Sequence, residues 1–176
     1  MSILKIARMG HPVLRARARR VDPSDIRTPA FQKLIDDMVE TMEEYHGIGL
    51  AAPQVHESVR LVLVGIEDER DGESEALRVI PVVNPEIAPV GSEVAEDWEG
   101  CLSVPDLRGR VPRAVEVRLR GLDRKGGLLD LGLRGFPARV AQHEVDHLDG
   151  ILFVHRMRSL ETLTFLEEFG KYWQKD

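Results

Sequence analysis

The chain has 176 residues, 43% of them hydrophobic, which is enough to bury a core and points to a single domain over residues 1–176. No apolar run approaches the roughly 20 residues a membrane span needs, and Met1-Ser2-Ile3-Leu4 does not open a signal peptide, so a cytoplasmic protein is expected rather than a membrane or exported one. The formal net charge of −6 argues against general nucleic-acid affinity, and the single cysteine argues against a disulfide scaffold.

Arg15, Arg17, Arg19 and Arg20 form a local basic run that reads as solvated surface and lacks the amphipathic pattern of an organellar transit peptide. Thr28 before Pro29 is a helix start. Phe31, Leu34, Ile35, Met38, Met42 and Tyr45 then recur at helical spacing and predict a helix from about 29 to 45. That helix delivers the chain to Gly47 and Gly49. These glycines lack the Gly-Lys-Ser/Thr continuation of a phosphate loop and predict instead a tight backbone that lets a substrate lie close. Arg60 to Val64 predicts a buried strand, and Glu67 to Ala76 an exposed acidic hairpin loop.

Further along, Val115, Val117 and Leu119 alternate with Glu116, Arg118 and Arg120, as in an antiparallel strand with one wet face. Gly126-Gly127 turns the chain into a segment from Leu128 to Leu133, after which Pro137 opens a helix that Gly150 ends. Residues 152–156, Leu-Phe-Val-His-Arg, read as a short strand. Ser159 caps a last helix with Leu160, Leu163, Leu166 and Phe169 facing inward. The sum is an α+β fold, with short antiparallel strands around a central helix and a helix towards each terminus.

The central helix carries Gln142-His143-Glu144-Val145-Asp146-His147. A four-residue step on an α-helix turns about 400° and rises about 6 Å, so His143 and His147 project from one face and can grip one metal ion, with Glu144 beside them to take a proton from water. Phe136 and Val140 continue the same stripe one and two turns earlier; core packing explains them, and so does a hydrophobic pocket beside the metal shared with Ile48. Asp146, on the other flank of the helix from Glu144, reads either as a surface residue or as a partner that orients a basic side chain or a ligand.

A hydrolytic metal usually takes three protein ligands, so a third is required. A His three residues after Gly150 would supply it in a metzincin pattern, but Phe153 stands there. Glu167, 20 residues after His147, fits a gluzincin pattern, although Lys171 occupies the place of the companion Asp. His155 is a further candidate. Cys101 answers better: it follows Gly100, lies among polar residues in Glu99-Gly100-Cys101-Leu102-Ser103, and with two imidazoles makes a soft tetrahedral site for Zn or Fe(II) rather than Mg or Ca.

Three stretches, Gly47-Ile48-Gly49-Leu50-Ala51-Ala52-Pro53-Gln54, Glu99 to Ser103 and Gln142 to Leu148, stand in the order of the peptide deformylase signatures, and from about Leu4 to its last helix the chain resembles that family. The resemblance implies a metal-dependent hydrolase that removes the formyl group from the N-terminal formyl-methionine of newly made polypeptides in a bacterial-type cytoplasm. It implies Cys101, His143 and His147 as metal ligands, with Fe(II) in the cell and Zn(II) or Ni(II) as replacements after purification. It further implies Glu144 as general base and the Gln54 side chain with the Leu102 N–H as oxyanion donors. Substrate would meet Ile48, Gly49, Glu99, Gly100 and Arg108, its methionine lying against Phe136 and Val140. Arg139 stands where many members carry an aliphatic residue, which implies a more polar pocket rim. Nascent formylated peptides are the implied partners, with transient ribosome association. Two rivals remain at this point: a gluzincin-type peptidase using Glu167, and a non-enzymatic metal-binding or ribosome-associated module.

Overall fold

The computed structural model describes residues 2–67 and 77–174. A one-turn helix α1 (Pro23–Ile26) leads into α2 (Pro29–Glu44), where the Thr28 Oγ1 accepts the Phe31 N–H at 3.4 Å and Pro29 fills the first turn. Then follow β1 (Gly49–Ala51), β2 (Leu61–Glu67), β3 (Leu77–Pro89), β4 (Val94–Cys101), β5 (Val104–Ala114), β6 (Glu116–Leu122) and β7 (Leu128–Arg134). Helix α3 (Phe136–Leu148), strand β8 (Thr164–Phe165) and helix α4 (Leu166–Tyr172) complete the order.

The strands form two antiparallel sheets, β1-β2-β3-β6-β7 and β4-β5-β8, giving an α+β fold. The unbroken apolar run of β2 is explained by burial on both faces. Val62 and Val64 pack with Ala138, Ala141, Val145 and Leu148 of α3. Leu61 and Leu63, pointing the other way, pack with Phe31, Ile35, Met38 and Met42 of α2. The five-stranded sheet is thus sandwiched between the two helices. A third cluster, including Leu14, Cys101, Val104, Val111, Leu152 and Phe153, fills the space beneath the three-stranded sheet.

Several expectations need correction. The strands are not all short: β3 runs 13 residues and β5 runs 11, with prolines inside both. Residues 152–156 form a 3-10 turn (Phe153–His155), not a strand. Ser159 caps only a second 3-10 turn, Leu160–Thr162, and the chain then extends so that Thr164 and Phe165 pair with Arg108 and Leu107 of β5 before α4 starts. Pairing with an open sheet edge outcompetes the helix at β-branched Thr162 and Thr164, and Leu160 and Leu166 stay 68% and 42% exposed rather than facing inward. The acidic loop expected at Glu67 to Ala76 lies outside the described residues apart from Glu67. No helix among the described residues is long and apolar enough to cross a membrane.

Candidate metal centre

Three elements converge on the site. Cys101 ends β4, just past an irregularity in the β4–β5 register that lies between Glu99 and Cys101. His143 and His147 stand on the face of α3 turned away from the five-stranded sheet. The Cys101 Sγ and one nitrogen from each ring all lie within 4.8 Å of one another, and Cys101 Sγ is 3.3 Å from His147 Nε2. Tetrahedral bonds of about 2.1–2.3 Å to nitrogen and sulfur put ligand atoms about 3.5 Å apart, so this donor set fits one soft or borderline divalent cation with little adjustment.

Glu99 explains how the His143 ring is held. Its carboxylate accepts from His143 Nδ1 at 2.9 Å, which leaves Nε2 as the ring's remaining nitrogen. It also accepts two hydrogen bonds from Arg113, at 2.9 and 3.1 Å, and one from Arg139 at 2.8 Å. With its side chain 4% exposed, Glu99 has no oxygen to spare. Glu99 lines the cleft, as the implied substrate contact requires, but its carboxylate is taken up in supporting His143. Arg139 lies in the cleft wall, with its guanidinium bonded to Glu99 and to the carbonyls of Val111 and Ala95. Of the two readings of Asp146, the orienting one holds: it is buried, with Arg113 at 2.5 Å and Arg156 at 2.6 Å. The chain His143–Glu99–Arg113–Asp146–Arg156 went unseen in the sequence because its members come from β4, β5, α3 and the segment after α3.

Burial alone would raise the Cys101 thiol, but the His147 charge and hydrogen bonds from both imidazoles outweigh it and hold the thiol well below its ordinary range. Burial alone would lower His143, but its bonds to Cys101 and Glu99 hold it well above. Both directions favour a thiolate–imidazolium pair over a neutral pair in the metal-free site. Ligation needs a neutral imidazole, so metal affinity rises with pH until His143 has lost its proton, then levels off. Calorimetric titration of Zn(II) in two buffers of different ionisation heat is expected to report about one proton released per ion at pH 7, the proton that Cys101 and His143 share in the metal-free site. No proton released would contradict this charge state.

Around the centre lies a cleft of about 1130 Å³, lined among others by Ile48, Gly49, Gly100, Leu102, Arg108, Phe136, Val140 and Glu144. Phe136 and Ile48 are 49% and 38% exposed, while Val140 is buried. Glu144 is 5% exposed, and its Oε2 has no hydrogen-bond partner among the described residues. Oε1 would lie 2.5 Å from a Cβ at residue 49, so only glycine fits there. Gly100 is covered similarly by the Arg108 guanidinium. The Gln54 Oε1 accepts the Ala51 N–H at 2.8 Å, which orients the amide so that Nε2 donates towards Ser103 Oγ at 3.3 Å and Cys101 Sγ at 3.6 Å. The cleft opens between β1 and β4, which are both end strands of their sheets. The Ile48 carbonyl accepts from Gly65 within the five-stranded sheet, so by strand alternation the backbone groups of Gly49 face outwards. Glu167, by contrast, is 78% exposed and bonded to Lys171 at 2.8 Å, and His155 touches Arg15 at the surface.

Comparison with known proteins agrees with this geometry. A family model described as polypeptide deformylase matches residues 3–163. Peptide deformylase 1 of Nitrosomonas europaea is 41% identical over 94% of this chain and 93% of its own length, and peptide deformylase 1 of Bordetella pertussis is 44% identical over 92% of both. A Met-Ala-Ser-bound class I type b peptide deformylase from Acinetobacter baumannii superposes with a TM-score of 0.81 at 42% identity, covering 89% of this chain and all of that one. A peptide deformylase from Legionella pneumophila gives 0.79 at 37% identity, covering 90% of this chain and 88% of that one. With the match spanning nearly the whole chain, the protein belongs to the peptide deformylase family, metal-dependent hydrolases that remove the formyl group from N-terminal formyl-methionine.

Proposed function

We propose that Cys101, His143 and His147 hold one divalent cation, Fe(II) in the cell, and that Glu144, Gln54 and the Leu102 N–H carry out deformylation around it. The observation that carries this reading is the cluster of one thiolate and two imidazoles beside a buried carboxylate with a free oxygen. When bound, the cation supplies Lewis acidity that makes water nucleophilic at neutral pH. Glu144 takes the proton from the attacking water as the new C–O bond forms at the formyl carbon. It returns that proton to the amine as the C–N bond breaks, leaving formate and a free amino terminus. The Gln54 amide, fixed by the Ala51 N–H, and the Leu102 N–H meet the oxyanion of the tetrahedral intermediate.

Substrate would enter as an extended segment between the edges of β1 and β4, pairing its main chain with Gly49 and Gly100 while Arg108 lies along its path; Ile48, whose carbonyl is held by the Gly65 N–H, offers its side chain instead. The exposed Phe136 and Ile48 and the buried Val140 offer the apolar surface for the methionine side chain. The Met-Ala-Ser seen on the Acinetobacter relative supports a peptide in this cleft. A single catalytic domain acting on nascent chains in the cytoplasm, with transient contact to the ribosome, completes the proposal.

The test is formate release from formyl-Met-Ala-Ser by protein loaded anaerobically with Fe(II). Turnover is expected, and Gln54→Ala is expected to lower kcat about 10²- to 10³-fold. Peptide-bond cleavage without formate, surviving Cys101→Ser, would move the assignment to the Glu167 peptidase reading.

A further inference from the structure

The mouth of the cleft has a charge unlike that of the molecule. The chain carries a net −6, yet the residues lining the cleft include exposed Lys5 and Arg8 and half-buried Arg108, against Asp106 as the exposed carboxylate. The other acids there are Glu99, consumed by Arg113, Arg139 and His143, and Glu144, which is buried. Among the described residues Lys5 and Arg8 pair with no carboxylate, whereas in the basic run that follows Arg17 and Arg20 do, with Asp149 and Glu86.

Lys5 and Arg8 are also held in place. The segment carrying them is stitched down at four backbone N–H groups: Ser2 to Asp37 Oδ1, Leu4 to Thr41 Oγ1, Ala7 to the Gln54 carbonyl and Met9 to the Ser103 carbonyl. The last two anchors belong to the residues that flank Cys101, so the cations are presented at the rim of the reacting site itself. A formylated amino terminus is uncharged and methionine is apolar. The charge a substrate brings to this rim therefore comes from the side chains that follow. The three residues of β1 and a rise of about 3.3 Å per residue give room for about three residues of extended main chain.

We infer that Lys5 and Arg8 form a specificity-determining cationic rim that favours formylated peptides with acidic side chains in the three residues after methionine. The inference rests on the deformylase reading of the cleft. Exposed pairs are weak singly and screened by salt, so two of them acting on two acids give a preference of about 10-fold.

The experiment compares kcat/KM for the C-terminally amidated peptides formyl-Met-Ala-Asp-Asp and formyl-Met-Ala-Lys-Lys, with formyl-Met-Ala-Ser amide as uncharged reference. The expected acidic-to-basic ratio is about 10 at low ionic strength, closing towards one by roughly 0.5 M salt. In the double variant Lys5→Glu/Arg8→Glu it is expected to invert. A parental ratio near one, or a ratio the double variant leaves unchanged, overturns the inference. So does an unchanged ratio accompanied by weakened co-sedimentation with ribosomes, which would assign the rim to nucleic acid. Failure of the uncharged reference to release formate from the parent would instead overturn the deformylase reading.

Discussion

Glu144→Gln is expected to keep its metal and lose about 10²- to 10⁴-fold in kcat, the range typical of removing a positioned general base. The amide keeps the shape of the side chain against Gly49 but cannot accept a proton. In the metal-free chain burial pushes the Glu144 carboxyl up to about 7; the charges of His143 and His147 oppose this, and those of Cys101 and Glu99 assist it. A bound cation adds positive charge beside the carboxyl and lowers it. The base must be ionised, so kcat/KM in the parent is expected to fall as the pH drops through this group, with the acid limb below 7. That limb should be missing in the variant. Metal content by elemental analysis, with formate release across pH, checks all of this, and parental turnover in a metal-replete variant would remove Glu144 from the mechanism.

The second large effect is expected at a carboxylate whose oxygens are both taken up within the protein. In Glu99→Gln the charges of Arg113 and Arg139 stay buried but lose the carboxylate they share, and breaking a buried pair in this way costs about 3–5 kcal/mol. The titration of Glu99 gives the same scale. Burial alone would raise its carboxyl, but His143 and Arg113 hold it at about 2 instead of 4.5, which corresponds to about 3 kcal/mol. Because the folded value is the depressed one, this stabilisation is complete above the unfolded value and is lost as the pH falls through about 2. The His143 ring also loses its orienting partner, for which about 10- to 100-fold weaker metal binding is expected. Urea unfolding of the metal-free protein and a competitive chelator titration separate the two consequences. Parental values in both would show that the Glu99 network is dispensable.

How much of this was visible in the sequence depended on how local each signal was. The start of α2 could be read because its cap, its proline and its apolar stripe lie in one stretch, and the antiparallel α+β class followed from alternation such as that in β6. Strands β3 and β5 were hidden by Pro81, Pro85, Pro105 and Pro112, which argue against strand when neighbours in the sheet are unknown. The break before α4 was hidden because only pairing with β5, more than fifty residues away in sequence, favours extension at Thr164. Cys101, His143 and His147 stood out by residue type and spacing. The partners of Glu99 did not, since Arg113 and Arg139 are ordinary arginines until the fold brings them to one carboxylate. The cationic rim had no pattern at all: Lys5 and Arg8 become neighbours of the centre only through backbone bonds to Gln54 and Ser103.

The contact between Gly49 and Glu144 also bears on resistance to inhibitors. A side chain at residue 49 would have to push aside a carboxylate that is itself enclosed, so the mutation that blocks a ligand there also displaces the proposed base. A compound seated against Gly49 leaves the protein little room to escape at its point of contact. Resistance would have to come from more open positions such as Ile48 or Phe136, where side chains can change without disturbing Glu144.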